Sequence, residues 1–445
     1  MEESNCSKSN QNQIGANSSE NKAESKDSIL RPNFVSKIRE FLGNQGFSDI
    51  NLKISPGSQK GDNYCGTLAQ IEVQAKDTDG NQRVLKWISK SAPVEEAQRQ
   101  TIKADALYEK EISVYEKIFP ILHQFQTRKG IPSPFKAYPT YIMSYIEENQ
   151  ENFIMEDMKS LGFLMKDKKS PLDYNHAILV LETYAKLHAI SYAMKDQAPE
   201  EFETLKMLAK DTYFCKQNYD IETVEKYEEN YRRRIIGCLN LEEDARIIED
   251  LTFFLTTPNS IVMDTIAEQN EYAIVIHGDN WINNILFKYG DPNNVATPTE
   301  VCLLDFQITR VGSPVLDIAY FIYSCTDKTF REEYFDQAIG IYHSALQQRI
   351  TDLGSDPYKL IPFNVLKKEF KRFSVVGFYL ATVILELMLG PQDETAEWSK
   401  AENVEELLEA LNFKGNIDMG YKERIRDIIV DFVSRGCLDF LKCDK

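Results

Sequence analysis

Positive charge is what this sequence has little of. Its 51 Lys and Arg stand against 69 Asp and Glu, a formal net charge of −18. A chain that grips a nucleic-acid backbone or an anionic membrane face needs a basic patch, so both partner classes are disfavoured. Long apolar runs are missing too, and none is long enough to span a bilayer. The opening "MEESNCSKSNQNQ" has no apolar core of a signal peptide, which points to a cytoplasmic protein and leaves the N-x-S sequons at Asn5 and Asn17 without meaning. Eight Cys are scattered with no CxxC or CxxH spacing, which argues against a zinc module or a disulfide scaffold and for reduced thiols. No internal repeat is visible, and nothing indicates an obligate protein partner.

What is present is enough for a two-lobed unit: 445 residues, of which 42% are hydrophobic. Residues 1–30 are Ser, Asn, Glu, Gln and Lys with little to bury, and read as a disordered tail. Residues 31–158 read as a small strand-rich lobe: a short helix closed by Gly46, then strand, Gly-rich loop, strand, an Asp79-Gly80 hairpin turn, strand, and one helix over "VEEAQRQTIKADALYEKEISVYEKIF". A further strand, "NFIMEDM", closes the lobe. Residues 159–445 read as mainly helical, interrupted by the strand-like runs "YAIVIHGD", "NILFKY" and "VCLLDF". The fold class expected is α+β.

Chemistry concentrates at a few places. Gly57, Gly61 and Gly66 sit between two strands, where Gly lets backbone N–H groups approach and cradle phosphate. Glu111 falls on the inner stripe of its helix with Ala104, Leu107, Tyr108, Tyr115 and Ile118, so it needs a cation from elsewhere. "VLKWISK" offers Lys86 and Lys90 on one strand face. A strand Lys held by a helix Glu is the arrangement that aims an ammonium at nucleotide phosphates. After "YAIVI" come His277, Gly278 and Asp279, then Asn284; a second strand ends at Asp305. One such carboxylate can orient and deprotonate a hydroxyl, while the other Asp and the Asn are hard oxygen donors suited to Mg²⁺. His277 reads as structural, tying the loop backbone, because Asp279 is the better-placed base and needs no tuning of its proton affinity. Trp281 can wall a substrate or pack between loop and helix. Asp317 reads as a brace for the catalytic loop or a cap for the helix that follows.

"HGDNWINNILF" followed by "LLDFQITRVGSPVLDIAYFIY" resembles the catalytic and metal motifs of the ecdysteroid kinase-like proteins, a branch of the choline kinase and aminoglycoside phosphotransferase superfamily. "GSQKGDNYCGTL" resembles their nucleotide loop, "WISKSAP" their lysine strand, "LYEKEISVYEKIFP" the helix with the paired Glu, "FIMEDMKSLGF" the hinge and "YAKLHAISYA" a large-lobe helix. The likeness covers about residues 33–340; the C-terminal helical region matches in character only. It implies a protein-kinase-like bilobal fold binding ATP and Mg²⁺ between the lobes. It also implies Asp279 as the base, Asn284 and Asp305 as metal ligands, and Lys90 rather than Lys86 as the phosphate-binding Lys, with Glu111 its partner. Gly61, Asp62, Asn63 and Tyr64 would be the loop contacts, and the backbone around Glu156 and Met158 would meet adenine. Gln307 after Asp-Phe is usual in this family.

The expected activity is phosphorylation of a small-molecule hydroxyl. Asp305 and Asp317 are only twelve residues apart, with no Ala-Pro-Glu anchor for a peptide-holding activation segment. The resemblance implies an ecdysteroid or related lipophilic alcohol as acceptor and an insect or other arthropod source. Two alternatives stand beside it: a choline- or aminoglycoside-type kinase, and a binding protein without turnover, although base, metal ligands and Lys all survive here.

Overall fold

The computed structural model describes residues 29–57, 66–147, 149–215, 221–291, 294–389 and 419–443. Of the segment read as a disordered tail, 1–28 lie outside these. Leu30 is buried beside the first helix, so the packed chain begins slightly earlier than expected.

Helix α1, Pro32–Asn44, starts on a Pro at its first turn and is followed by Gly46 at φ 85. Phe34, Ile38 and Leu42 recur at helical spacing and are buried, each contributing about 1.5–3 kcal/mol. They cover one face of an antiparallel sheet made of β1 Ser48–Pro56, β2 Thr67–Lys76, β3 Gln82–Ser91, β4 Tyr141–Glu147 and β5 Gln150–Glu156, in spatial order β1-β2-β3-β5-β4. Strand alternation sends Ala69, Ile71, Val73, Trp87 and Ile154 to that face. The registers Lys90↔Phe153 and Ile88↔Met155 then send those four to the other face.

That second face receives the helical segment between β3 and β4. The sequence pattern predicts one helix there. The chain instead forms α2 Glu96–Ile102, α3 Ala104–Ser113, a π-helical turn at Val114–Ile118, and α4 Phe119–Arg128. The break falls at Lys103, whose φ of 54 is left-handed. Strand β4 was not anticipated.

Beyond β5 a 3₁₀ turn, Met158–Leu161, leads to β6 Leu164–Met165 and the helices α5 Tyr174–Gln197, α6 Pro199–Leu208, α7 Ile221–Gly237, α8 Ala245–Thr256 and α9 Pro258–Ala267. Short strands follow: β7 Ile274–Ile276, β8 Ile285–Tyr289, β9 Pro298–Leu303 and β10 Arg310–Gly312. They form a β10–β7 pair and a β6-β8-β9 sheet. Among the described residues the helices α10 Val315–Cys325, α11 Lys328–Asp352, α12 Pro357–Leu360, α13 Phe363–Leu389, α14 Met419–Ser434 and α15 Phe440–Cys443 follow. One continuous apolar core joins α3 and α4 to these helices. The molecule is therefore α+β, a small antiparallel lobe and a large helical one, as the pattern predicts. Among the described residues no helix is long and apolar enough to cross a membrane.

Helices α10 and α13 approach closely because Gly377 has no side chain: a Cβ there would lie 2.6 Å from the Ala319 Cβ and closer still to the Tyr320 backbone nitrogen. Gly377→Ala should therefore cost about 1–3 kcal/mol by overpacking. A lowered urea-denaturation midpoint checks this; an unchanged midpoint contradicts it.

Candidate active site

Strand alternation and the helical stripe together place two charges under the sheet. Lys90 is 4% exposed and Glu111 is 1% exposed. The Lys90 ammonium donates to Glu111 Oε2 at 2.7 Å and to Asp305 Oδ1 at 2.6 Å. Burial alone would lower the proton affinity of Lys90, but Asp305 and then Glu111 outweigh it and hold the ammonium above its ordinary range. Burial pushes Glu111 up to about 7 against the pull of Lys90. Lys86, four residues earlier on the same strand, is exposed, and its carbonyl accepts from Asp157 N–H at 3.0 Å.

Asp305 reaches Lys90 from the turn after β9. Its φ of 66 is left-handed, a conformation Asp tolerates better than most residues. The β8–β9 register pairs Ile285 with Leu303, and Leu304 N–H donates to Asn284 O at 2.9 Å. The hairpin thus sets Asn284 and Asp305 side by side. Asn284 turns its amide nitrogen to Asp279, donating to Oδ2 at 2.9 Å and to the backbone carbonyl at 3.0 Å. Its amide oxygen remains as the atom to offer a cation.

The loop carrying Asp279 is braced from behind. Asp317, in the first turn of α10, accepts His277 N–H at 2.8 Å on one carboxylate oxygen and Gly278 N–H at 2.9 Å on the other. His188 on α5 lies 3.1 Å from the same carboxylate, and its other ring nitrogen is 2.8 Å from the Tyr342 hydroxyl. His277 accepts Asp279 N–H at Nδ1, at 3.1 Å, which leaves Nε2–H to donate to Leu304 O at 2.9 Å. Burial lowers its proton affinity, in keeping with a neutral ring that spans the two loops. Gly278 has φ 94, and a Cβ there would meet Ile308 O. Only Gly fits that corner without strain.

Asp279 departs from expectation in one respect. Its carboxyl does not keep an ordinary proton affinity: burial, then the charge on Asp305, raise it to about 7, with Asn284 and Lys90 opposing. The Tyr320 hydroxyl on α10 also hydrogen-bonds it. Trp281 is buried and contributes a further side-chain hydrogen bond to Asp279. Tyr320 and His188 were not picked out from sequence. Both lie among apolar residues at helical spacing, and no local signal separates them from core.

Glu156 ends β5, opposite Trp87, and its N–H goes to Thr140 O at 2.9 Å. Met158 opens the 3₁₀ turn and packs with Phe163, Leu286 and Cys302 beneath the β8–β9 hairpin. Gly61, Asp62, Asn63 and Tyr64 lie outside the described residues. The structure therefore brings Lys90, Glu111, Asp279, Asn284 and Asp305 together, with His277 and Asp317 behind them.

The donor set is compatible with a divalent ion. Among the described residues no cluster of three or more His, Cys, Asp or Glu is arranged to hold a metal. Asp305 and Asn284 supply two hard oxygen donors, too few to enclose an ion and suited to a divalent cation completed by phosphate and water. A cation, the Lys90 ammonium, already sits on Asp305.

A small antiparallel lobe meeting a helical lobe over a Lys–Glu pair and an Asp, Asn, Asp group defines a kinase-like fold. The model of the ecdysteroid kinase-like family matches residues 60–355, and the chain belongs to that family. Membership indicates a kinase-like phosphotransferase and, in general terms, use of a nucleotide and a divalent metal. No curated protein matches the chain.

The raised affinity of Asp279 has a thermodynamic sign. Between the ordinary 3.8 and about 7 the folded state holds a proton that the unfolded state has released. This group therefore favours folding at low pH, and its contribution is lost as pH climbs toward 7. Asp279→Asn should match the parent near pH 4 and be more stable at pH 8, by about 1–3 kcal/mol. Denaturation midpoints across pH check this; a variant less stable at pH 8 contradicts it.

Proposed function

We propose that the protein transfers the γ-phosphoryl group of ATP, with Mg²⁺, to a hydroxyl of a small lipophilic molecule, an ecdysteroid or similar alcohol. The observation that carries this reading is the Lys90 ammonium bonded at once to Glu111 and Asp305. Catalysis of this type is positioning and electrostatics. Glu111 fixes Lys90, which neutralises charge on the phosphates. Asp279 orients the acceptor hydroxyl and takes its proton. A carboxyl that titrates near neutral pH is suited to that exchange. Asn284 holds the Asp279 carboxylate in place, and Asp317 with His277 fixes its loop. Asn284 and Asp305 would hold the divalent ion, whose bound charge would draw electron density from the transferring group. The hinge backbone around Glu156 and Met158 would receive the adenine; the Asp157 N–H is already committed to Lys86 O.

A small acceptor is favoured over a peptide for a structural reason. Phe306 to Leu316 fold directly into a turn, β10 and the start of α10, nearly all of them buried. No exposed segment lies between Asp305 and Asp317 to hold a peptide. The source of the likeness to steroid kinases is the family alone, so the acceptor is the point to test.

The test is incubation with Mg·ATP and a panel of ecdysteroids, other sterols, cholines and phenols, read as the mass gain of one phosphate. A sterol alcohol is the expected acceptor. Asp279→Asn should lower turnover by about 10²–10⁴-fold while Mg·ATP still raises its melting temperature. Turnover at the parental rate would remove Asp279 from its role, and a protein that neither turns over nor responds to Mg·ATP would overturn the reading.

A further inference from the structure

Glu111 can hold Lys90 only if its own helix is held. The residue just before it shows how. On an α-helix, consecutive side chains point about 100° apart, so when Glu111 faces the sheet, Lys110 faces sideways. It faces the large lobe. Lys110 is 8% exposed, and its ammonium donates to Leu208 O at 2.8 Å and to Lys210 O at 2.7 Å. These carbonyls lie at the C-terminal end of α6, where the helix's own amides no longer reach and where its dipole favours a cation.

The segment after α6 is itself pinned on its far side. Asp211 Oδ1 accepts Tyr213 N–H at 2.8 Å and Phe214 N–H at 2.9 Å, shaping residues 211–214 into a tight turn. The Arg310 guanidinium lies 4.9 Å from the Phe214 ring centre, and its Nε is 3.9 Å from Asp211 Oδ2. Arg310 belongs to β10 and pairs with Ile276, the residue before His277. Lys103, at the left-handed break that starts α3, has its ammonium 5.7 Å from the Tyr213 ring centre. Residues 208–215 are thus a strap, with the helix of Glu111 on one side and, on the other, β10, the partner of the strand that enters the Asp279 loop.

We propose that Lys110 is a positioning residue: by clamping α3 to this strap it fixes Glu111, and through Glu111 it fixes Lys90 for the phosphates. The role rests on the phosphotransferase reading above; the clamp does not. Helix α3 is then referenced to the same support as the catalytic loop, and the Lys90–Glu111 pair does not open independently of the large lobe.

Lys110→Met keeps the length of the side chain and removes its donors. In the nucleotide-free protein, amides of residues 104–113 should exchange about tenfold faster than in the parent, with β2 and β3 unchanged. Mg·ATP affinity should weaken by about tenfold, and Lys110→Arg, which still donates to two carbonyls, should recover most of it. In a Lys90→Met background, Lys110→Met should weaken Mg·ATP no further, because it acts through Lys90. A residue that merely stabilised the fold would add the same loss in both backgrounds. Should Lys110→Met fail to fold, Asp211→Ala loosens the strap from its more exposed side and is expected to give the same pattern in smaller degree. Unchanged exchange of α3 overturns the clamp, and an additive loss in the double variant overturns the positioning role. If the parent itself ignores Mg·ATP, the phosphotransferase reading and the positioning role fall together, while the exchange result still judges the clamp.

Discussion

Everything at the centre of this molecule is arranged around one ammonium. Lys90 comes from a central strand of the small lobe, Glu111 from the helix beneath it and Asp305 from a turn of the large lobe, and all three meet within hydrogen-bond distance. Burying such charges is costly, and removing one partner of a buried pair leaves the others uncompensated, at about 3–5 kcal/mol. The arrangement therefore links the two lobes and stores a cation where phosphate charge would need one. Burial pushes Glu111 up to about 7 even with that ammonium beside it.

Behind that centre the large lobe is built for rigidity. Asp317 is fully buried, yet both its oxygens are used, by two backbone amides of the loop that carries Asp279 and by His188. His277 then joins that loop to the turn bearing Asp305. A loop so fixed can hold Asp279 near Asp305 despite their like charges, and burial, with that charge added to it, raises the proton affinity of Asp279. Sites that keep such conflicts give up stability for chemistry.

Much of this could be read from residues alone, for a definite reason. Glu111 stood out because a carboxylate on an apolar stripe demands a partner, and Asp279, Asn284 and Asp305 because polar groups at strand ends interrupt apolar runs. The α+β plan followed from a period of two giving way to a helical period. What escaped depended on three-dimensional context. The break at Lys103 and the π turn at Val114–Ile118 keep the helical pattern of their neighbours. Strand β4 is half-buried over Tyr141–Tyr145 and exposed at Ile146 and Glu147, so no alternation marks it. Tyr320, His188 and Lys110 act on residues distant in sequence, and the proton affinity of Asp279 follows from burial that no local pattern encodes.

The Lys90 ammonium occupies Asp305, so a divalent ion held there, as proposed, would compete with it for one carboxylate. Mn²⁺ uptake without nucleotide, followed by the loss of its free-ion paramagnetic resonance signal, tests this most directly. Lys90→Met is expected to bind Mn²⁺ more tightly than the parent, because the competing charge is gone, and Asp305→Asn in the same background should abolish the gain. Equal or weaker binding by Lys90→Met would contradict it.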